Sequence, residues 1–288
     1  MSGGETQIHP SAVVDPAAEL GRGVTVGPNA VVGAGVVLGD GTEVGAGAQV
    51  YGPAEIGRDN RIFPMAAVGF EPQDLKFKGE ETRLVVGDRN HFREFTTIHR
   101  GTSFGGGVTT IGDDNLFMAY SHVAHDCRVG SRCVFTNSAT LAGHVTVEDD
   151  AVIGAFSAVH QFTRVGAHAY IGGYSVITMD ALPYVKTVGQ KPLVYGVNTV
   201  GLRRKGFSRE QIRRLEAALR LVTQSGLNTQ QALEQLRREL AGHPEVDHLI
   251  AFIEGSKRGV VKALPGRRGG RGGSGVEGDG EPEAVEGS

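Results

Sequence analysis

The chain has no tryptophan, and aromatic residues fill only 6% of its 288 positions. That scarcity argues against a core built on large rings and for one built on small aliphatic side chains. Two cysteines, Cys127 and Cys133, are too few for a disulfide framework. No stretch approaches the roughly 18 apolar residues that a membrane span needs. The opening MSGGETQIHPSAVV has neither the basic start nor the apolar run of a signal peptide, so a cytoplasmic protein is expected. The net charge of -3 gives no basic field for nucleic acid. Glycine is abundant, with 44 residues, and this points to many tight, repeated turns.

An aliphatic residue recurs at every sixth position. The series runs Ile8, Val14, Leu20, Val26, Val32, Leu38, Val44, Val50, Ile56, Ile62 and Val68, and returns at Val86, Phe92 and Ile98. After a shift of one residue it continues from Ile111 to Ile177. Neither an α-helix of period 3.6 nor a plain strand of period 2 confines large aliphatics to every sixth site. A chain wound into a prism does, with one short strand and one turn per face. If the prism is triangular, three hexads make a coil of 18 residues, and stacked coils pair as parallel strands about 4.8 Å apart. The position two before each aliphatic is small or β-branched, as at Ala30, Val36 and Ala48, and packs inward beside it. Cys127 and Cys133 both hold this inward position, so a core role is expected for them. The period leaves the hand of the coil open.

The repeat breaks twice, giving a β-helix over 1–190 with loop excursions at 69–85 and 99–110. The second excursion contains Gly105-Gly106-Gly107, which lacks the lysine and helix of a phosphate loop and reads as a flexible turn. Residues 180–207 read as an irregular bridge. A small helical domain is expected over 191–264. Its first helix opens at the capping box Ser208-Arg209-Glu210-Gln211, a second covers Thr229 to Leu240, and a third runs from Pro244 to Phe252 or slightly beyond. The stretch 265–288 is Gly, Arg, Glu and Pro with little to bury, and is expected to be disordered.

Eight of the ten histidines lie in the repeat region, which makes their stacking worth working out. A step of 18 puts His125, Gly143 and Gln161 in one column, and carries Asp126 to His144. His122 lies three residues before His125, and His160 is next to Gln161. One strip thus carries an imidazole, a carboxylate, an amide and a glycine backbone, a set that suits acyl transfer. Histidine takes a proton from an alcohol near neutral pH, and a carboxylate fixes its tautomer. A glycine N–H can approach a developing oxyanion. His9 and His168 read as isolated, solvated residues. No metal is expected, because the H-x-x-x-x-H step of zinc-binding β-helices is absent.

The segments QDLKFKGE (73–80), GDRNHFREFTTIHRGT (87–102), HVAHDCRVG (122–130), ATLAGHVTV (139–147), AVHQFTRVGAHAYIGG (158–173) and VNTVGLRRKGFS (197–208) together resemble the UDP-N-acetylglucosamine O-acyltransferases that begin lipid A synthesis. The likeness covers about residues 8–262. It implies a left-handed β-helix, a homotrimer with active sites in clefts between subunits, and no cofactor beyond the phosphopantetheine of an acyl carrier protein. It further implies that His125 is the general base at the glucosamine 3-hydroxyl, with Asp126 as its partner and the Gly143 N–H at the oxyanion. His99, His122, His144, His160, Gln161, Gln73, Asp74 and Lys76 would position sugar and donor. Asn198, Arg204 and Lys205 would hold the UDP part, and Gly173 would leave room for a longer 3-hydroxyacyl chain. The chain departs from the family at Val200, where an acidic residue is usual, and at Lys205, where arginine is. Lys191 stands near the acyl-groove end, where a neutral or titratable residue is expected.

The basic run Arg203, Arg204, Lys205, Arg209, Arg213 and Arg214 fits either an acidic carrier protein or a solvated helix face. The nearest rival function is N-acylation of an already acylated UDP-glucosamine, by an enzyme that usually carries an extra N-terminal uridine-binding domain. Acylation of a 3-amino analogue is another. Outside this class stand a zinc carbonic anhydrase and a non-catalytic scaffold.

Overall fold

Gln7 pairs with Thr25, Val13 with Val31 and Glu19 with Val37, all in parallel and all at a step of 18 residues. Three short strands therefore complete one coil, as the hexads require. The computed structural model describes residues 4–264, and the expected disorder at 265–288 lies outside them. Coil stacking builds three sheets, of 11, 9 and 8 strands, here called the first, second and third faces in the order the chain visits them. The coil is left-handed, against the right-handed preference of longer crossovers.

The sixth-position side chains fill the prism. Val26, Val32, Leu38 and their successors are almost fully buried, and Phe92, Phe117 and Phe135 stack in one column at 5.1 and 4.6 Å. Cys127 and Cys133 are buried free thiols, and burial pushes both thiol pKa values up to about 12. The inward position beside Phe92 and Phe117 is asparagine, not a small apolar residue. Asn90 Nδ2 donates to Asn60 Oδ1 at 3.0 Å, and Asn115 Nδ2 to Asn90 Oδ1 at 2.9 Å. Each amide thus meets its partner one coil away, which is how a polar ladder survives inside a core.

Most corners carry one residue with positive φ, and many of these are not glycine: Asp126 has φ 60° and His144 61°. Such conformations are uncommon for bulky residues. Hydrogen bonds between coils hold them, such as His144 N–H to His125 O at 3.0 Å.

Both excursions are shorter than the sequence implied. Strands Ala67–Phe70 and Arg83–Val86 take the ends of the first, leaving 71–82; Thr97–His99 and Val108–Ile111 leave 100–107 of the second. The pairs Phe70 with His99, Arg83 with Val108 and Leu84 with Thr109 extend the ladder although they break the hexad phase. Steps across the two excursions are 30 and 25 residues, as from Ile62 to Phe92 and from Phe92 to Phe117. Each loop leaves the second face and returns on the third, so both sit on the same edge.

The expected irregular bridge over 180–207 is largely regular. Val185–Val188 and Leu193–Val197 form an antiparallel hairpin that extends the first face, so a division at 190/191 would cut it in half. A short helix α1 (Thr199–Arg204) follows, then α2 (Arg209–Gln224), α3 (Thr229–Leu240) and α4 (Pro244–Glu254). Ser208 and Asn228 cap α2 and α3 with reciprocal capping boxes. The helices share a second core that includes Leu215, Leu236, Val246 and Phe252. They seat on the last coils through Arg164, which lies 4.0 Å over the Phe252 ring, and through a chain from Tyr184 to His248 (2.7 Å) to Glu148 (3.0 Å). His168 is not solvated as expected. It stacks on Tyr184 at 5.7 Å and meets Phe207 edge-on at 5.0 Å, in the seam between coil and helices. His9 is exposed, bonded to Ser11 at 2.9 Å. No helix among the described residues is long and apolar enough to cross a membrane.

The phenylalanine column has no room to collapse around a void. Phe117→Ala is expected to lower the unfolding free energy by about 3–5 kcal/mol, whereas Leu75→Ala, at a fully exposed loop position, leaves it unchanged; urea denaturation of both variants checks this.

Candidate active site

The strand His122–Val123 ends the second face and Arg128–Val129 begins the third. Val123, Cys127 and Val129 turn inward, which leaves His125 and Asp126 on the edge between them. One coil on, Gly143 and His144 occupy the same places, and one further, Gln161 and Phe162. His144 N–H donates to His125 O, and Phe162 N–H to Gly143 O at 3.2 Å. The columns predicted from the period are therefore present.

His125 Nδ1 lies 2.8 Å from Asp126 Oδ2. A carboxylate can only accept, so Nδ1 carries the proton and Nε2 keeps its lone pair. Nε2 faces Asp74 Oδ2 at 3.7 Å. The Asp126 side chain is fully buried and accepts two more bonds, from Thr102 N–H at 2.9 Å and Thr102 Oγ1 at 2.6 Å. Its own N–H donates to Thr109 Oγ1 at 2.8 Å. A carboxylate held by this many donors keeps one orientation and fixes the ring.

Gly143 packs directly over the imidazole. A Cβ there would lie 2.5 Å from His125 Cε1 and 2.7 Å from Nε2, so any side chain would displace the ring. Gly105 plays the same part for the carboxylate: a Cβ would fall on the Asp126 carboxyl group. Thr102, Gly105 and Thr109 were not expected at the site from sequence. The first two lie in the HRGTSFGGG run, and only its breaking of the hexads marked it.

Three further histidines surround the dyad. His144 meets the His125 ring edge-on at 5.1 Å and stacks on Phe162 at 4.4 Å. His122 Nδ1 bonds Thr97 Oγ1 at 2.7 Å, and its ring lies 5.1 Å from that of His99. Burial, and then the neighbouring His122 and His125, push His99 down to about 4. Burial also lowers His122 and His144, with Asp126 opposing it at His144. These rings stay neutral at neutral pH and do not put competing charge beside His125.

The loop 71–82 supplies the other side. Asp74 Oδ1 accepts from Lys76 N–H at 2.8 Å, which leaves Oδ2 toward His125. Lys76 Nζ lies 5.7 Å over the Phe104 ring. Gln73 lines a cavity of about 600 Å³ with Thr97, His99 and Arg100. His160 and Gln161 are exposed on the same edge, His160 Nδ1 lying 3.1 Å from Gln161 O.

Four expected site residues are not brought to His125 within this chain. Gly173 lies on the edge between the first and second faces. Asn198 is buried and already engaged: its Oδ1 caps α1 through Gly201 N–H, and its Nδ2 donates to His168 O at 3.1 Å. Lys205 Nζ pairs with Asp150 at 2.8 Å, and Arg204 is exposed beside it. Ligand atoms of His125, Asp126 and His144 do lie within 4.8 Å of one another, close enough for a metal. The Asp126 oxygens already accept three donors, however, and that donor set fits a hydrogen-bonded dyad better than a metal centre.

Residues 180–261 match the family described as Udp N-acetylglucosamine O-acyltransferase, domain 2, and residues 108–143 match bacterial transferase hexapeptide repeats. An acyl-[acyl-carrier-protein]–UDP-N-acetylglucosamine O-acyltransferase of Alkalilimnicola ehrlichii is 58% identical over 89% of this chain and 100% of its own. One of the same name from Myxococcus xanthus is 52% identical over 89% of this chain and 99% of its own. A solved UDP-N-acetylglucosamine O-acyltransferase of Moraxella catarrhalis superposes with a TM-score of 0.86 at 40% identity, covering 88% of this chain and 99% of that one.

Because His99 has a lower pKa folded than unfolded, the unfolded chain takes up its proton first as pH falls. The contribution of neutral His99 is complete above about pH 6.5 and is lost as pH falls toward 4. Between pH 7 and 5 this amounts to about 2 kcal/mol. His99→Gln is expected to flatten the acid decline by that much, read as urea unfolding free energies at the two pH values; equal slopes in variant and parent would refute it.

Proposed function

The chain belongs to the UDP-N-acetylglucosamine O-acyltransferase family, and from that premise we propose how the His125 edge carries out the reaction. The protein transfers an acyl group from acyl carrier protein to UDP-N-acetylglucosamine, the first step of lipid A biosynthesis. In our reading the glucosamine 3-hydroxyl gives its proton to His125 Nε2 while its oxygen attacks the thioester carbonyl of a 3-hydroxyacyl donor. The C–O bond forms, and the carbonyl oxygen takes up charge beside the Gly143 N–H, which meets no other acceptor among the described residues. Collapse breaks the C–S bond. The leaving phosphopantetheine thiolate then recovers the proton from His125, leaving an ester, a free thiol and a neutral imidazole. Asp126 stabilises the imidazolium between these steps.

The single observation that carries this assignment is the polarity of His125. Its Nδ1 is committed to Asp126 at 2.8 Å, and its Nε2 opens toward Asp74 across 3.7 Å. A sugar hydroxyl entering there meets a lone pair and, beside it, a carboxylate able to accept from a second hydroxyl. The chemistry needs no metal or other cofactor, because proton transfer and oxyanion stabilisation are both supplied by the chain.

We read the enzyme as a homotrimer with sites shared between subunits, and as cytoplasmic, where acyl carrier protein is the donor. Two features support the shared site. Gly173 and His125 lie on different edges, so an acyl chain can meet both only if one comes from a neighbour. The Gly173 edge also exposes the stacked pairs Phe95–Tyr120 (4.9 Å) and Phe156–Tyr174 (5.2 Å), an apolar row suited to burial against another copy. Arg204 and Lys205 are read as contacts for the UDP part, Lys205 from its pairing with Asp150. The basic surface for the carrier protein is smaller than the sequence implied: Arg214 is tied to Glu210 and Glu245, both at 2.8 Å, while Arg203, Arg204, Lys205, Arg209 and Arg213 are exposed.

His125→Ala is expected to lower kcat by about 10²–10⁴-fold, measured by mass spectrometry of acylated UDP-sugar from 3-hydroxyacyl carrier protein and UDP-N-acetylglucosamine. Undiminished turnover would remove His125 from the mechanism. Gly173→Met should shift donor preference toward shorter acyl chains, at about 0.8 kcal/mol for each methylene excluded; a competition assay with donors of graded length reads it, and an unchanged preference counts against the shared groove.

A further inference from the structure

Arg100 stands where the chain leaves the strand Thr97–His99, and its side chain runs inward beneath the loop 71–82. The residue is buried. Nη1 donates to the carbonyls of Gly52 at 3.2 Å and Gly69 at 3.3 Å, and Nη2 to Glu71 Oε1 at 3.3 Å. Its backbone N–H donates to Phe70 O at 3.0 Å, and Cζ lies 5.7 Å from the Phe77 ring centroid. Gly69 and Glu71 precede Asp74, and Phe77 follows it. Gly52 belongs to the coil below. One planar guanidinium thus grips the coil and both sides of the residue that faces His125.

The pairing with Glu71 is largely exposed at its acidic end, so it adds little by itself. The directional part is the fork to two carbonyls, which lysine cannot reproduce. Two residues on, Thr102 binds Asp126 through both its N–H and its hydroxyl. The run His99-Arg100-Gly101-Thr102 therefore reaches both carboxylates flanking the imidazole: Asp126 directly at the Nδ1 side, and Asp74 through the loop at the Nε2 side.

We propose that Arg100 is a positioning residue for the acceptor sugar, anchoring the 71–82 loop so that Asp74 faces His125 Nε2. The proposal rests on the reading of Asp74 and His125 as the acceptor site. A purely structural arginine would alter stability and activity without reference to Asp74, and coupling between the two separates these cases.

The experiment measures kcat and KM for both substrates in the full-length parent, R100M, R100K, D74N and the R100M/D74N double variant. R100M is expected to lose about 10- to 100-fold in kcat/KM for UDP-N-acetylglucosamine, with KM for the acyl carrier protein donor unchanged and R100K in between. In the D74N background the same substitution should cost less than about threefold, because the group it positions is already compromised. An equal loss in both backgrounds overturns the proposal. If R100M does not fold, R100K takes its place, with a smaller loss that again vanishes in D74N; parental kcat/KM in R100K overturns it. A D74N enzyme as active as the parent is a separate failure, of the acceptor-site reading itself, and removes what Arg100 was to position.

Discussion

Hydrogen bonding between coils at a step of 18 residues is the constraint on which everything else here depends. It turns the sixth residue of each hexad inward, with the residue two before it packed alongside, because a prism only three short strands around has room for little else. The same step puts residues of successive coils into columns. A buried column can then run as stacked rings, as at Phe92, Phe117 and Phe135, or as a ladder of amides, as at Asn60, Asn90 and Asn115. On the edge it puts Gly143 against His125 and His144 against Asp126. The site is assembled by vertical neighbours, and the rigidity of a helical or sheet core is replaced by the rigidity of stacking.

Within that frame the dyad acquires its chemistry from unequal surroundings. Asp126 is enclosed and takes three hydrogen bonds, one of them from His125 Nδ1, and so dictates which nitrogen of His125 is free. The other imidazoles near it are pushed toward the neutral form, chiefly by burial. Among these imidazoles His125 alone is hydrogen-bonded to Asp126, at 2.8 Å, while His144 Nε2 stays 3.8 Å away. That difference, more than the number of histidines, separates a base from its scaffolding.

What the sequence revealed and what it hid follow the same division. The coil, the columns through His125 and Asp126, the inward cysteines and the starts of α2 and α3 were legible because each rests on period or on local capping chemistry. Thr102, Gly105 and Arg100 were not, because they lie where the period lapses and their partners are distant in sequence. The hairpin at 185–197 was missed for a related reason: its strands are longer than a hexad and pair antiparallel, so no sixfold signal announces them. His168 was misjudged as solvated since nothing in the hexads foretells which coil the helices will cover. Asn198 matches the family's pattern and Lys205 departs from it, and within one chain their side chains are engaged with His168, Gly201 and Asp150.

Both loops leave from the edge that carries His125, and the coil resumes its register after each. Added length on that edge is therefore absorbed locally, without disturbing the ladders on the other faces. For descent with modification this means that the parts touching substrate and the parts counting out the coil are inherited almost independently. Added length is accommodated there twice, and at neither of the other two edges of the described coils. The molecule confines its tolerance for change to one side.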